Sequence, residues 1–312
     1  MKCRTTSNLT RLVATLCTVC LGITGTVGCQ RVAPPAVASA PSVDAPAASS
    51  PARISTGVTQ ADEETGAAVP GQPPIKLVVA MAADLRFVEV ELEQEFERLN
   101  PGIQIEPTFG SSGELFAQML NQAPYDVFLS ADQDYPQKLV DQRVAKADSF
   151  FRYAIGHIVL WVRNDSPLQV EPAGAEILKD PRLKKFAIAN PKTAPYGRAA
   201  EAALKQLGLY DELQSKLVLG KNVAQTAQFA ESGAADAAVI GLSFASSREF
   251  SGKGKYWKFP ADTYPRMDQA GVILDHTQHT AAARKFCNFL QAPPAIEIFK
   301  KYGFGIPEPS PQ

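Results

Sequence analysis

The chain has 312 residues, 45% of them hydrophobic and 20% charged, enough for about two domains with buried cores. Its 31 Lys and Arg nearly balance 32 Asp and Glu, giving a formal charge of -1, and no basic block points to a nucleic-acid partner. Only three histidines are present, His157, His276 and His279, which narrows the room for metal or acid–base chemistry.

The predicted elements begin with a basic segment, Lys2, Arg4 and Arg11, followed by an uncharged, mostly apolar run of 16 residues, Leu12 to Val27. A membrane-spanning helix needs about 20 apolar residues. A basic start, a short apolar stretch and small residues at its end read instead as an export signal covering residues 1–28. The run ends Thr26-Val27-Gly28-Cys29, similar to a bacterial lipobox, so Cys29 is expected to carry lipid and to anchor the chain to a membrane. Thr26 stands where such motifs usually have Leu or Val, and plain secretion is the alternative. Removing residues 1–28 takes away three bases and no acid, leaving 28 bases against 32 acids, a net charge of -4. Cys17 and Cys20 go with the signal. Cys287 is then expected to be a small buried residue.

Gln30 to Pro74 is rich in Ala, Pro and Ser and contains neither Leu nor an aromatic residue. Such a composition cannot bury enough apolar surface to offset chain entropy, so residues 29–74 are expected to be the acylated cysteine and a disordered tether. The folded part starts at Ile75. Strands are predicted at Ile75–Ala82, Ile103–Glu106, Asp126–Ser130, Ile155–Val162, Phe186–Ala189 and Ala237–Ile240. Helical spacing marks Leu85–Leu99, Glu114–Asn121, Tyr196–Leu207, Tyr210–Leu217, Val223–Glu231, Thr280–Gln291 and Pro294–Lys301. This alternation predicts an α/β architecture, with largely parallel sheets covered by helices.

No nucleophile elbow, Walker loop or dinucleotide fingerprint is present. His157 lies in an apolar strand and reads as a packed or edge histidine. His276 and His279 have no carboxylate cluster beyond Asp275 to complete a metal site. The informative feature is a set of four strand-to-helix turns with short, mostly neutral donors: Met81–Leu85, Phe109–Glu114, Ala194–Arg198 and Gly220–Ala224. Helix N-termini expose unpaired N–H groups and a partial positive charge. Several such ends in one cleft would bind an anion without a buried cation. Singly, each turn reads as an ordinary cap, since Asp84, Ser111 and Asn222 are all good capping types.

The segments Ala80-Met-Ala-Ala-Asp-Leu, Phe109-Gly-Ser-Ser-Gly, Asn121 to Asp132, Tyr153 to Trp161 and Ala189 to Ala200 resemble, in order and spacing, the molybdate-binding proteins of the type II periplasmic binding fold. Asn222 to Thr226, Ser232 to Asp236 and Lys301 to Phe304 extend the resemblance across residues 76–307. It implies an α/β two-lobe fold of mixed, mostly parallel sheets with flanking helices and the ligand cleft between the lobes. Lobe 1 would comprise 75–156 plus 262–307, and lobe 2 157–261. It also implies a monomeric, non-enzymatic receptor with no cofactor, which captures molybdate or tungstate and delivers it to the permease and ATPase of an ABC importer.

Carried over by position, Ser112 would supply a hydroxyl and an amide, and Tyr196 and Val223 backbone amides. Two positions depart from the pattern. Asp84 stands where a Ser, Thr or Asn is usual, so the carboxylate would cap its helix, be protonated, or take part in the coordination. The second-lobe tyrosine hydroxyl is replaced near Gly241, leaving Ser243 as the nearest hydroxyl. The expected oxyanion site is therefore Asp84, Ser112, Tyr196, Val223 and Ser243. Sulfate, phosphate or a small organic acid remains the alternative cargo, the last if Arg198 points inward as a clamp. A hydrolase using Asp84 and His157 would instead predict turnover.

Overall fold

The computed structural model describes residues 73–308. The expected signal segment, the lipobox at Cys29 and all but the last two residues of the expected tether lie outside the described residues. From Ile75 onward the chain alternates strand and helix. β1 (Ile75–Ala82), α1 (Glu89–Leu99), β2 (Ile103–Gly110), α2 (Ser112–Leu120), β3 (Val127–Ser130), α3 (Asp134–Asp141) and β4 (Phe151–Gly156) come first. β5 (Ile158–Arg163), α4 (Val170–Ala173), β6 (Phe186–Ala189), α5 (Pro195–Gln206), α6 (Tyr210–Leu213), β7 (Leu217–Gly220), α7 (Val223–Glu231), β8 (Ala237–Gly241), α8 (Leu242–Ala245) and β9 (Gly254–Lys258) follow. β10 (Met267–Ile273), α9 (Thr280–Leu290) and α10 (Pro293–Lys301) close the fold.

The strands form two five-stranded sheets, ordered β2-β1-β3-β10-β4 and β7-β6-β8-β5-β9. Each is mixed. β1 runs parallel to β2 and β3, and β6 parallel to β7 and β8, while β10 and β5 are antiparallel to both their neighbours. The first sheet with its helices makes lobe 1, the second lobe 2. Both cores are built on strands covered on two faces, which is why β1, β3, β6 and β8 read as apolar runs rather than alternating patterns. In lobe 1, Phe96 of α1 meets Phe286 of α9 edge to face, ring centroids 5.0 Å apart, on one side of the sheet. Leu115, Met119 and Leu139 from α2 and α3 fill the other side. Trp161, Phe186, Leu204 and Val239 lie in the core of lobe 2. Each such side chain contributes roughly 1.5–3 kcal/mol when removed from water.

The structure redraws several predicted elements. The single strand expected over Ile155–Val162 is two strands, β4 and β5, which separate at His157 and join different sheets. An uninterrupted apolar run carries no mark of that change of sheet. The chain returns to lobe 1 between β9 and β10. The helix expected from Leu85 begins at Glu89, after a 3-10 turn over Ala83–Leu85. The helix expected over Tyr210–Leu217 stops at Leu213, passes through a 3-10 turn and ends in β7. Among the described residues no helix is long and apolar enough to cross a membrane.

Candidate functional site: an anion cavity between the lobes

Parallel pairing sets the site. β1 and β2 are in register from Ile75 opposite Ile103 to Ala82 opposite Gly110, so their carboxyl ends finish level. β6 and β7 do the same, with Ala189 opposite Gly220. The turns that follow these four strand ends therefore emerge side by side in each lobe, where open α/β sheets usually bind ligands. They line a small cavity, walled by Ala82–Asp84, Gly110–Ser112 and Ala131 from lobe 1, and by Ala194–Tyr196, Asn222 and Val223 from lobe 2.

Among the described residues no Lys, Arg or His lines this cavity. Its polarity comes from helix starts. Ser112 opens α2, Tyr196 lies in the first turn of α5 behind Pro195, and Val223 opens α7. First-turn amides have no intrahelical acceptor, so those of Ser112, Tyr196 and Val223 remain available to a ligand. Two of these turns are capped locally. Ser111 Oγ accepts from the Glu114 amide at 3.3 Å, and Asn222 Oδ1 accepts from the Gln225 amide at 3.0 Å. The Ser112 hydroxyl oxygen accepts from the Ala131 amide at 3.0 Å, which leaves its own hydrogen as a donor.

Asp84 behaves differently from a cap. Its 3-10 turn has Ala82 as N-cap with no side-chain cap bond. The buried Asp84 carboxylate instead accepts from the Tyr196 hydroxyl at 3.1 Å and from Gln269 Nε2 at 2.6 Å, both on Oδ2. Oδ1 is buried with no hydrogen-bond partner among the described residues. Burial pushes the Asp84 pKa up to about 6, while the bonds from Gln269 and Tyr196 pull the other way. Ser243 Oγ donates to the Asp84 carbonyl at 2.9 Å. Gly156, at the end of β4, makes room for this cluster: a Cβ there would lie 2.8 Å from the Tyr196 hydroxyl and 2.9 Å from Gln269 Nε2.

Four of the five expected site residues, Asp84, Ser112, Tyr196 and Val223, thus wall one cavity. The exception is Ser243, which is absent from the cavity wall and bonds to the backbone behind Asp84. The Tyr196 hydroxyl is committed to Asp84. Arg198 does not enter the cavity: its guanidinium pairs with Asp132. The bonded neighbours of Asp84 are Tyr196, Gln269 and Ser243, and His157 is not among them. Reasoning from sequence missed Gln269, because β10 itself was not predicted. It also missed the Ala131 amide, which orients the Ser112 hydroxyl. Among the described residues no group of three or more His, Cys, Asp or Glu side chains could hold a metal ion, and His276 and His279 sit apart from the cavity.

A two-lobed α/β binding protein, with a small ligand space lined by amides and hydroxyls, is the class that this fold and cavity define. The chain belongs to the bacterial extracellular solute-binding protein family, whose model matches residues 77–305. It is 35% identical over 254 residues to the molybdate-binding protein ModA of Rhodobacter capsulatus, an alignment spanning 81% of this chain and 97% of that protein. It is 38% identical over 230 residues to ModA of Azotobacter vinelandii, spanning 73% and 89%. The solved Azotobacter vinelandii periplasmic molybdate-binding protein superimposes with a TM-score of 0.70 at 35% identity, covering 74% of this chain and all of that one. The family is one of solute-binding proteins, and this chain is not an enzyme.

Proposed function

We propose that the protein is the extracytoplasmic receptor of an ABC importer, closing its two lobes around a molybdate or tungstate dianion and presenting it to the permease and ATPase. The observation that carries this reading is the cavity wall: helix starts from both lobes and the Ser112 hydroxyl line a space to which no described residue contributes a cation. Neutral, fixed donors suit a fully deprotonated tetrahedral oxyanion. Asp84 is the single charged acceptor in the wall, and its Oδ2 is already taken by Tyr196 and Gln269, so a ligand O–H has little beyond Asp84 Oδ1 to donate to. The amides of Ser112, Tyr196 and Val223 and the Ser112 hydroxyl are the proposed contacts. Asp84 contributes through its turn and its interlobe bonds, and Ser243 holds Asp84 from behind. With Arg198 paired to Asp132, no bidentate clamp for an organic acid faces the ligand space.

In the same reading, residues 1–28 direct export, Cys29 carries the lipid anchor and residues 30–74 tether a monomeric receptor to the membrane. Lobe 1 is 75–156 with 262–307, and lobe 2 is 157–261. Calorimetric titration with molybdate, tungstate, sulfate and phosphate tests the cargo. Tight binding of the first two is expected. No heat with either group 6 oxyanion would end this reading. Metabolic labelling with a radiolabelled fatty acid tests the anchor, and its loss in Cys29→Ser is the expected result.

A further inference from the structure

Beside the anion cavity a second set of groups joins the lobes. Asp132 follows β3 of lobe 1, directly after Ala131, whose amide orients Ser112. Arg198 lies on α5 of lobe 2, two residues after Tyr196. The Arg198 guanidinium pairs with Asp132 Oδ2, reaches the Tyr135 hydroxyl through Nη1 at 3.4 Å, and lies 5.4 Å from the centroid of the Tyr135 ring. The lobe 1 half is organised without its partner. Asp132 Oδ1 accepts from Ser130 Oγ at 3.1 Å and from the Tyr135 amide at 3.2 Å, and the Tyr135 ring packs 5.1 Å from Phe116. The Asp132 side chain is only 14% exposed, against 40% for Arg198. Alongside, the Gly113 amide of α2 donates to the Thr193 carbonyl of lobe 2 at 2.9 Å. Glycine is required for that approach, since a Cβ would lie 2.5 Å from the Tyr135 hydroxyl and 2.7 Å from the Thr193 oxygen.

We propose that Arg198, Asp132, Tyr135 and the Gly113–Thr193 backbone bond form a clasp that holds the lobes closed over the anion and sets how slowly it leaves. The inference rests on the binding reading above and goes beyond it. These residues touch no ligand, so they are positioning residues. A clasp whose halves lie on different lobes can form only when the lobes close, and the anion enters only while they are open. Its loss therefore acts on dissociation and spares association. This separates it from ordinary surface ion pairs such as Arg284–Asp148, whose two partners lie in one lobe and which contribute little. A charged, ring-stacked and partly desolvated pair is worth more than such a pair.

The test uses the full chain and molybdate in stopped-flow exchange. Arg198→Ala and Asp132→Asn should each speed dissociation about tenfold while association changes less than about twofold. The double variant should be no worse than either single one. The swap Arg198→Asp with Asp132→Arg should recover part of the slow release, and Arg284→Ala should match the unmodified protein. Gly113→Ala should release the anion fastest. Amide exchange of residues 111–115 gives a ligand-independent arm. It should rise in Arg198→Ala, with no change in β1 or β6. Unchanged dissociation in both single variants, or additive effects in the double, overturns the clasp. Failure of the unmodified protein to bind molybdate would remove the cargo assignment alone. In that event equal exchange at 111–115 in the unmodified protein and Arg198→Ala would overturn the clasp separately.

Discussion

The two lobes solve the same problem with matching parts. Each supplies one helix capped by its own neighbour, α2 by Ser111 and α7 by Asn222. Each also supplies one turn with no side-chain cap, the 3-10 turn at Asp84 and the start of α5 at Tyr196. In the capped turns the polar side chain is used within its own lobe, which fixes the donors before any ligand arrives. In the uncapped turns the polar side chains bond to each other across the cleft, Tyr196 hydroxyl to Asp84 carboxylate. Local bonds preorganise the cavity, and cross-cleft bonds register whether it is closed. Substitutions in the two kinds of turn should therefore fail in different ways.

The largest effect is expected from Asp84, through pH. Its folded pKa of about 6 lies above the ordinary 3.8, because burial penalises the charged form. Between those values the native protein holds a proton that the unfolded chain has released, so stability falls as pH rises through this window and levels off above it. The difference in unfolding free energy between the unmodified protein and Asp84→Asn should fall by up to about 3 kcal/mol from about pH 4 to about pH 7. Urea unfolding at a series of pH values checks this, and a difference independent of pH would mean that Asp84 is not held uncharged in the native state. A dianion in the cavity also favours neutral Asp84, so affinity should decline above about pH 6 by at most tenfold per pH unit. Asp84→Asn should flatten that decline and hold or improve affinity at neutral pH. The groups facing the carboxylate are the Gln269 amide of β10 and two tyrosines, Tyr196 of α5 and Tyr153 of β4, whose hydroxyls burial pushes well above the ordinary tyrosine value.

Ser112→Ala comes next. It removes a donor to a charged ligand and leaves the Ala131 amide without its acceptor. The expected cost in binding is roughly 1.5–3 kcal/mol, or about 10- to 150-fold in affinity, and the stranded Ala131 amide also lowers ligand-free stability by about 1–3 kcal/mol. Its neighbour makes the comparison sharp. Ser111→Ala breaks only the cap of α2 and should lower stability by about 1 kcal/mol, with affinity following only as the α2 amides lose order. Calorimetry and thermal melting on the two variants together would show whether adjacent serines divide these roles. Equal losses of affinity in both would erase the distinction.

How much of this could be read in the sequence follows from the same division. Capping chemistry is local, so Ser111, Ser112 and Asn222 announce themselves within a few residues of a helical pattern. Asp84 carries the same local signature, yet its side chain is claimed by Tyr196 and Gln269, far away in sequence, and spacing does not encode such claims. β10 escapes prediction because Met-Asp-Gln-Ala-Gly-Val-Ile mixes buried polar and apolar residues: Gln269 is wholly buried for the sake of Asp84. β4 and β5 merge in the sequence because both are apolar, and only pairing with different partners divides them at His157. The two-lobe fold was legible through the order of its motifs, whereas the cross-cleft bonds became visible only with coordinates.

The smallest effect tests the cross-cleft side of the comparison. Ser243 lies outside the cavity wall, and its hydroxyl donates to the Asp84 carbonyl at 2.9 Å. Ser243→Ala removes one neutral hydrogen bond, worth about 0.5–1.5 kcal/mol. Because the donor is in lobe 2 and the acceptor in lobe 1, the loss should fall on the closed state. Affinity should drop by at most about tenfold while ligand-free melting stays nearly constant. A direct oxyanion contact would predict a loss matching Ser112→Ala, and a purely structural serine would lower the melting temperature with and without ligand alike. The ratio of the two losses, measured on the same anion, separates a residue that touches the cargo from one that holds the turn behind it.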